Sequence, residues 1–501
     1  MAPKFFRIKR LLPSLQIQSA LAESKLEVSV KKRVPIIAVF PSWLWVLLLT
    51  MVFSQTVTAQ QRYATHRIRP SGEHLLFKVK ALINPATGTS IDDAIVETNG
   101  GRILRVGHSG DFEVPANLKV MDFGDKYVIP GLIDTHGHLY WGVTHVQTTI
   151  PALAVFYLAA GVTSIGDPGS MDPGSDLALR NRIDSGVFPG PRYYLAGEYL
   201  DMAPLIVPWM NPVATAEEAR LKVDLWASQG ATAIKLYANM HGEVMQAAIE
   251  EAHAHGMRVW AHIGTVSYHE AIEMGVDQIF HGVLTMSDTR AAGATQADYK
   301  NWSVGTGKLD LTRPEIKEDF KMAAAGKVVF TPTAVVMEPP DLVKNHMSEQ
   351  MKYYSPQAWD RIQKLGEDPR MKSFMNPEAV QKNREFIRRA HEAGCMLATG
   401  TDLVLVSILP GFSLWREMEI FAEAGLKPME VLKAATVNGA YAIGRSDQLG
   451  TVEPGKLADF VVLTADPRID ISNVRSVYRV VKGGVLYDPQ ELLQPMAGAI
   501  E

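Results

Sequence analysis

The chain has 501 residues, of which 47% are hydrophobic and 39 are glycine; this is enough for a large core, or for a barrel plus a smaller domain, and it excludes intrinsic disorder. A formal net charge of −4 offers no electrostatic argument for nucleic-acid binding. The single cysteine, Cys395, excludes an intramolecular disulfide and a cysteine-rich zinc knuckle, and reads as a core residue of a strand.

Residues 1–33 carry eight Lys or Arg against two Glu, and residues 34–61 carry no charge. Lys31-Lys32-Arg33 directly precedes an apolar run from Val34 to Phe53, the pattern of an export signal or a membrane anchor. Val57-Thr58-Ala59 places tolerated side chains where a signal peptidase reads them, so residues 1–59 are expected to be a signal peptide cleaved after Ala59, or else a retained N-terminal anchor. Pro35 and Pro41 weigh against an uninterrupted spanning helix. Either reading puts the catalytic body outside the cytoplasm, periplasmic or secreted, with membrane contact only through an uncleaved N-terminal segment.

A polar linker at 60–73 leads to strand patterns at Leu75–Val79 and Ala81–Ile83, and to a hairpin around Asn99-Gly100. Short strands recur at 456–463 and 477–487. Residues 74–129 and 446–490 are therefore expected to build one small β-sandwich domain from both chain ends. Between them, at 130–445, apolar segments alternate with helical patterns, which favours parallel βα units. Candidate strands fall at 130–136, 161–166, 192–196, 231–236, 257–262, 277–281, 327–331 and 395–401. Eight such segments predict an α/β fold, a closed (β/α)8 TIM barrel, over an open doubly wound sheet. The charged stretch 337–380 is long for a barrel loop and reads as helices covering the strand ends.

Chemistry concentrates at those strand ends. In a strand, residues two apart face the same side, so His136 and His138 can reach one metal ion. His262 closes Met257–His262 and His281 closes Asp277–His281, each followed closely by glycine. Asp402 follows Cys395-Met-Leu-Ala-Thr-Gly-Thr as a matching carboxylate, able to bind metal and to take a proton from water. Read singly, His136 and His138 could be ordinary polar surface histidines, His262 and His281 satisfied core histidines, and Asp402 a helix cap. Lys235 is costly to bury unpaired; it is either a side chain reaching the barrel mouth or, if its amine is carboxylated, an anion able to bridge two metals. His253, His255 and His269 lie in helical stretches and are expected to face solvent.

Pro130-Gly-Leu-Ile-Asp-Thr-His-Gly-His138, Lys235, His262, His281 and Thr399-Gly-Thr-Asp402 together resemble the amidohydrolase superfamily. The resemblance continues through Ala434–Ala440 and Gly450–Phe460, and is strongest to the imidazolonepropionase-like branch that includes Xaa-Pro dipeptidases. It implies His136, His138 and Asp402 on one metal, His262 and His281 on a second, and carboxylated Lys235 between two divalent ions, by default zinc. It also implies that a metal-activated hydroxide hydrolyses an amide, of a dipeptide, an N-acyl amino acid or a non-peptide substrate. Lactone hydrolysis, deamination of a cyclic amidine and a non-catalytic barrel module are the alternatives. One departure stands out: dipeptidase-like members commonly carry a tyrosine two residues after the fifth-strand histidine, where this chain has Gly264, and Tyr268 or His241 is the candidate substitute. Tyr199, Trp209, Met210, Met337, Tyr353 and Tyr354 are expected around an apolar pocket for a small to medium amide. A homo-oligomer is compatible with the sequence, and the glycines of Asn438–Gly444 are too weak a pattern for a nucleotide site.

Overall fold

The computed structural model describes residues 73–139, 150–205, 210–286, 309–375, 377–405 and 407–500. The expected signal or anchor at 1–59, nearly all of the linker at 60–73, and Trp209 lie outside the described residues. No described helix is long and apolar enough to cross a membrane.

Both chain ends meet in one mixed sheet. Its strands are β1 (Leu75–Asn84), β2 (Thr89–Asn99), β3 (Arg102–His108), β4 (Lys119–Asp122), β5 (Tyr127–Pro130), and, far along the chain, β15 (Phe460–Leu463), β16 (Val477–Lys482) and β17 (Val485–Tyr487). The order is β17-β16-β15-β5-β1-β2-β3, with β4 also on β1. The strands expected to make a β-sandwich are thus hydrogen-bonded as a single sheet that forks on β1, whose first half pairs with β4 and second half with β5. Alternation along β1 sends Phe77 and Val79 to one apolar cluster, with Phe460, and Leu76 to another, with Ile95.

The body is a TIM-barrel-like α/β arrangement of parallel strands: β6 (Leu132–Asp134), β7 (Val162–Asp167) and β8 (Arg192–Leu195) in one sheet, and β9 (Tyr199–Leu200), β10 (Ala233–Leu236), β11 (Arg258–Ala261), β12 (Gln278–Phe280), β13 (Val329–Thr331) and β14 (Met396–Leu397) in another. Backbone bonds run between the two sheets, from Thr232 N–H to Leu195 O and from Thr135 N–H to Thr399 O, both at 3.0 Å. The strands are buried on both faces, which is why they read as continuous apolar runs.

The strand expected at 130–136 divides. Pro130 ends β5 in the sheet, Gly131 makes the passage, and a side chain at 131 would strike Thr163, so only glycine fits this close approach. The stretch 337–380 contains helices at Pro340–His346, Pro356–Glu367 and Pro369–Phe374, followed by Pro377–Glu392. All four open on proline, whose fixed φ and missing N–H suit the first helical turn. Buried Arg416 ties this region down through hydrogen bonds of 2.7–3.0 Å to buried Glu338.

Candidate metal centre

His136 and His138 follow β6, Lys235 lies in β10, His262 follows β11, His281 follows β12, and Asp402 follows β14 after a short non-helical passage. Strand pairing brings these separate ends together. Asp402 N–H donates to His136 O at 2.7 Å, and Asp134 locks the same junction: its Oδ1 accepts from the N–H groups of His136 and Thr401 at 3.1 Å, its Oδ2 from the Thr401 hydroxyl at 2.6 Å. A Cβ on Gly400 would lie 2.6 Å from Thr331 Cγ2 and 2.8 Å from His136 Cβ, so the last strand can approach the first only with glycine there. Asp402, His281 and Thr333 hold φ angles of 52°, 72° and 48°, a left-handed backbone that non-glycine residues adopt only under constraint.

The ligand atoms of His136, His138 and Asp402 all lie within 4.8 Å of one another. Asp402 Oδ1 is 3.4 Å from His136 Nε2 and 3.5 Å from His138 Nε2, while its Oδ2 is 3.7 Å from His281 Nδ1. His262 joins through its ring, 4.5 Å from that of His281. Lys235 is 1% exposed; its Nζ makes no hydrogen bond among the described residues and stands 3.9 Å over the Phe280 ring, whose centroid is 4.2 Å from that of His136. All six residues singled out from the sequence are therefore buried and linked by a chain of close contacts.

Burial, then the neighbouring Lys235 and His281 charges, hold His136 well below the ordinary imidazole range; burial and His262 do the same for His281. Burial also drives the Lys235 ammonium well down. His138 goes the other way: burial opposes its charge, but Asp167 and Asp402 together lift it to about 9. Asp402 stays below the usual carboxylate range because contact with His138 and the charges of His281 and Lys235 outweigh burial. The neutral imidazoles of His136 and His281 beside the ionised Asp402, with His138 free to bind once it gives up its proton, form a donor set suited to a divalent transition metal, and the Lys235 amine, without a hydrogen bond among the described residues, marks a place where a further charged group would fit.

A supporting layer lies behind these residues. His138 Nδ1 meets Asp167 Oδ1 at 3.1 Å; the Tyr193 hydroxyl donates to Asp167 Oδ2 and lies 2.7 Å from Asp176 Oδ1. His281 Nδ1 meets Thr333 Oγ1 at 2.9 Å. Such partners fix ring orientation and tautomer. Asp134 and Asp167 were accessible to strand logic: one sits two residues before His136, and the other ends β7 as Asp402 ends its own segment. Tyr193 and Thr333 carried no local signal.

The expected pocket divides. Tyr199 stands beside the cluster, its ring 6.5 Å from His138 and 5.4 Å from Tyr237, which in turn lies 4.5 Å from His262. Tyr237 was not singled out from the sequence. Tyr353 and Tyr354 instead pack into the core: Tyr353 lies against Phe156 and Phe412 at 5.1 and 5.8 Å, and Tyr354 bridges to Ile500, because this turn abuts the C-terminal segment. Met337 is fully buried and takes a bond from Asn383 at 2.7 Å; Met210 is also buried. Tyr268 is not placed to replace the tyrosine missing at Gly264, since its hydroxyl donates to Gly282 O at 2.6 Å and its ring stacks on Phe330. His241 is exposed, its Nδ1 2.7 Å from Asn239 O. Cys395 is buried, and burial pushes its thiol up to about 12, as suits a core residue.

Residues 127–486 match the Amidohydrolase family. A stretch of 118 residues, 23% of this chain, is 33% identical to the imidazolonepropionase of Bacteroides thetaiotaomicron. That alignment spans only 27% of the relative's length. Among solved structures, a Xaa-Pro dipeptidase with methionine bound in its active site superposes with a TM-score of 0.62 at 21% identity, over 83% of this chain and 99% of that one. A molinate hydrolase superposes with a TM-score of 0.63 at 21% identity, over 84% and 95%. At these identities the two structures speak for the fold.

Proposed function

The chain belongs to the amidohydrolase family, and from that premise we propose that it is a binuclear metal-dependent hydrolase cleaving the amide C–N bond of a small or medium-sized substrate, such as a dipeptide or N-acyl amino acid. The observation that carries this reading is Lys235, a buried amine among converging histidines and Asp402 with no hydrogen bond to any described residue. Addition of its nitrogen to CO2, with loss of one proton, would convert the amine to a carbamate anion between two ions. His136, His138 and Asp402 would hold one ion and His262 and His281 the other, with zinc the expected metal. Bound divalent ions would supply an acidified water and polarisation of the scissile carbonyl.

The chain's own groups do the rest. Asp402, its carboxylate facing three histidines, takes the proton from the attacking water and delivers it to the leaving nitrogen. Asp167 holds His138 in place. Tyr199 and Tyr237 form an aromatic wall for an apolar substituent. The chain is further proposed to work outside the cytoplasm, on the strength of the uncharged stretch at 34–61 behind a basic run.

The test is elemental analysis of protein produced with zinc and bicarbonate, followed by turnover of dipeptides, N-acyl amino acids, lactones and cyclic amidines. Two metals per chain are expected, with amide turnover abolished in D402N while most metal is retained. One metal per chain with preferential deamination, or undiminished turnover in D402N, overturns the reading.

A further inference from the structure

A cavity of about 1250 Å³ lies between the sheet and the N-terminal ends of the barrel strands, lined by Arg192, Tyr194, Arg445 and Lys482. The metal-site residues stand at the opposite, C-terminal strand ends, so this is a separate space.

Its cations are unequally balanced. Arg192 is held by Asp459 through bonds of 2.7 and 3.0 Å, and Asp459 also accepts the Gly483 N–H at 2.7 Å, which fixes the β16–β17 turn beside the guanidinium. A Cβ on Gly483 would lie 3.3 Å from Arg192 Nη2. Lys482, the residue before this turn, has a side chain with no hydrogen bond or ion pair to any described residue. Burial, then the nearby Arg192 charge, lower its ammonium to about 8. Arg445 lies over the Tyr194 ring at 5.3 Å, and its guanidinium bonds only the neighbouring Gly444 carbonyl among the described residues. None of the acids around the cavity forms an ion pair with either cation: Asp488 is paired with Arg479, Glu73 with Lys119, Glu491 is exposed, and Asp459 and Asp184 act on Lys482 only through space.

We propose that this cavity binds a small organic oxyanion, a carboxylate or phosphate monoester, with its charged end between Lys482 and Arg445 and the Tyr194 hydroxyl as a further donor. An oxyanion supplies the directly bonded counter-charge that no described residue gives Lys482, and hydrogen bonds between charged partners are the strong ones. The volume exceeds the need of a bare ion and suits a small molecule. Phe188, Leu457 and Tyr487 give its body apolar surface.

The experiment is thermal unfolding of the metal-loaded full chain with succinate and with glycerol 3-phosphate, which separate the carboxylate and phosphate sources. At least one should raise the Tm of the wild type by about 2–4 °C, as expected for a ligand bound only by the native state. K482R should keep the shift; K482M and R445M should lose it while still melting cooperatively without ligand. No shift in the wild type with either probe, or an equal shift in K482M and R445M, as binding at the metal centre would give, overturns the proposal.

Discussion

Asp167→Asn isolates a single contribution to the candidate metal centre. In the native protein Asp167 meets His138 Nδ1 at 3.1 Å on one oxygen and the Tyr193 hydroxyl on the other. In the variant the amide oxygen keeps the imidazole N–H. The amide nitrogen donates to the Tyr193 oxygen, which in turn donates its proton to Asp176 Oδ1, 2.7 Å away. Each buried polar group retains a partner, so above pH 9, where His138 is neutral, global stability should move by no more than about 1 kcal/mol. What disappears is the negative charge that makes His138 a strong donor. Loss of such a partner typically weakens metal binding about 10–100-fold, or about 1.4–2.8 kcal/mol. Zinc competition against a chromophoric chelator measures this directly. Metal-free protein offers a second readout. With the His138 pKa up from 6.5 to about 9, its contribution to stability is full below pH 6.5 and is lost as pH rises through 9. The variant should lose less over that window. Zinc affinity within twofold of wild type would refute the assigned role of Asp167.

Two further expectations concern the frame around the site. Gly400→Ala places a methyl 2.6 Å from Thr331 Cγ2 and 2.8 Å from His136 Cβ, so urea unfolding should report a loss of about 1–3 kcal/mol together with reduced metal content; unchanged values would contradict the close approach. Glu417 is buried against the N–H groups of Ala334 and Val335 at 3.1 and 2.8 Å, and burial pushes its carboxyl up to about 8. Its stabilising contribution is therefore full below pH 4.5 and is lost as pH rises through 8. E417Q should melt with a flatter dependence on pH across that window, and an unaltered slope would assign the wild-type loss to other groups.

The residues bordering the candidate centre were legible because they terminate apolar strands. Alternation makes His136 and His138 neighbours on one face, and parallel strands deliver Lys235, His262 and His281 to one end of the body. The joining of the two chain ends was legible for a similar reason: short alternating strands near each terminus need partners, and β5 receives β1 on one edge and β15 on the other. Periodicity does not say where a strand stops. Pro130 belongs to the sheet rather than to the barrel strand expected at 130–136, and β14 is only two residues long, because backbone pairing with distant neighbours sets those limits. The aromatic pair Tyr353-Tyr354 looks like pocket lining in the sequence and is core in the structure, because the segment beside Ile500 covers it.

The sequence by itself therefore determined which strand ends bring His136, His138, Lys235, His262, His281 and Asp402 together, since their placement follows from local alternation and residue type. Only the tertiary structure decided how those side chains are held. The hydrogen bonds from Asp134 to Thr401, the link from His138 through Asp167 to Tyr193, and the left-handed backbone at His281 and Asp402 each depend on contacts between segments far apart in the chain. The same holds for the cavity lined by Arg192, Arg445 and Lys482, which exists only where the sheet from both chain ends meets the barrel strands.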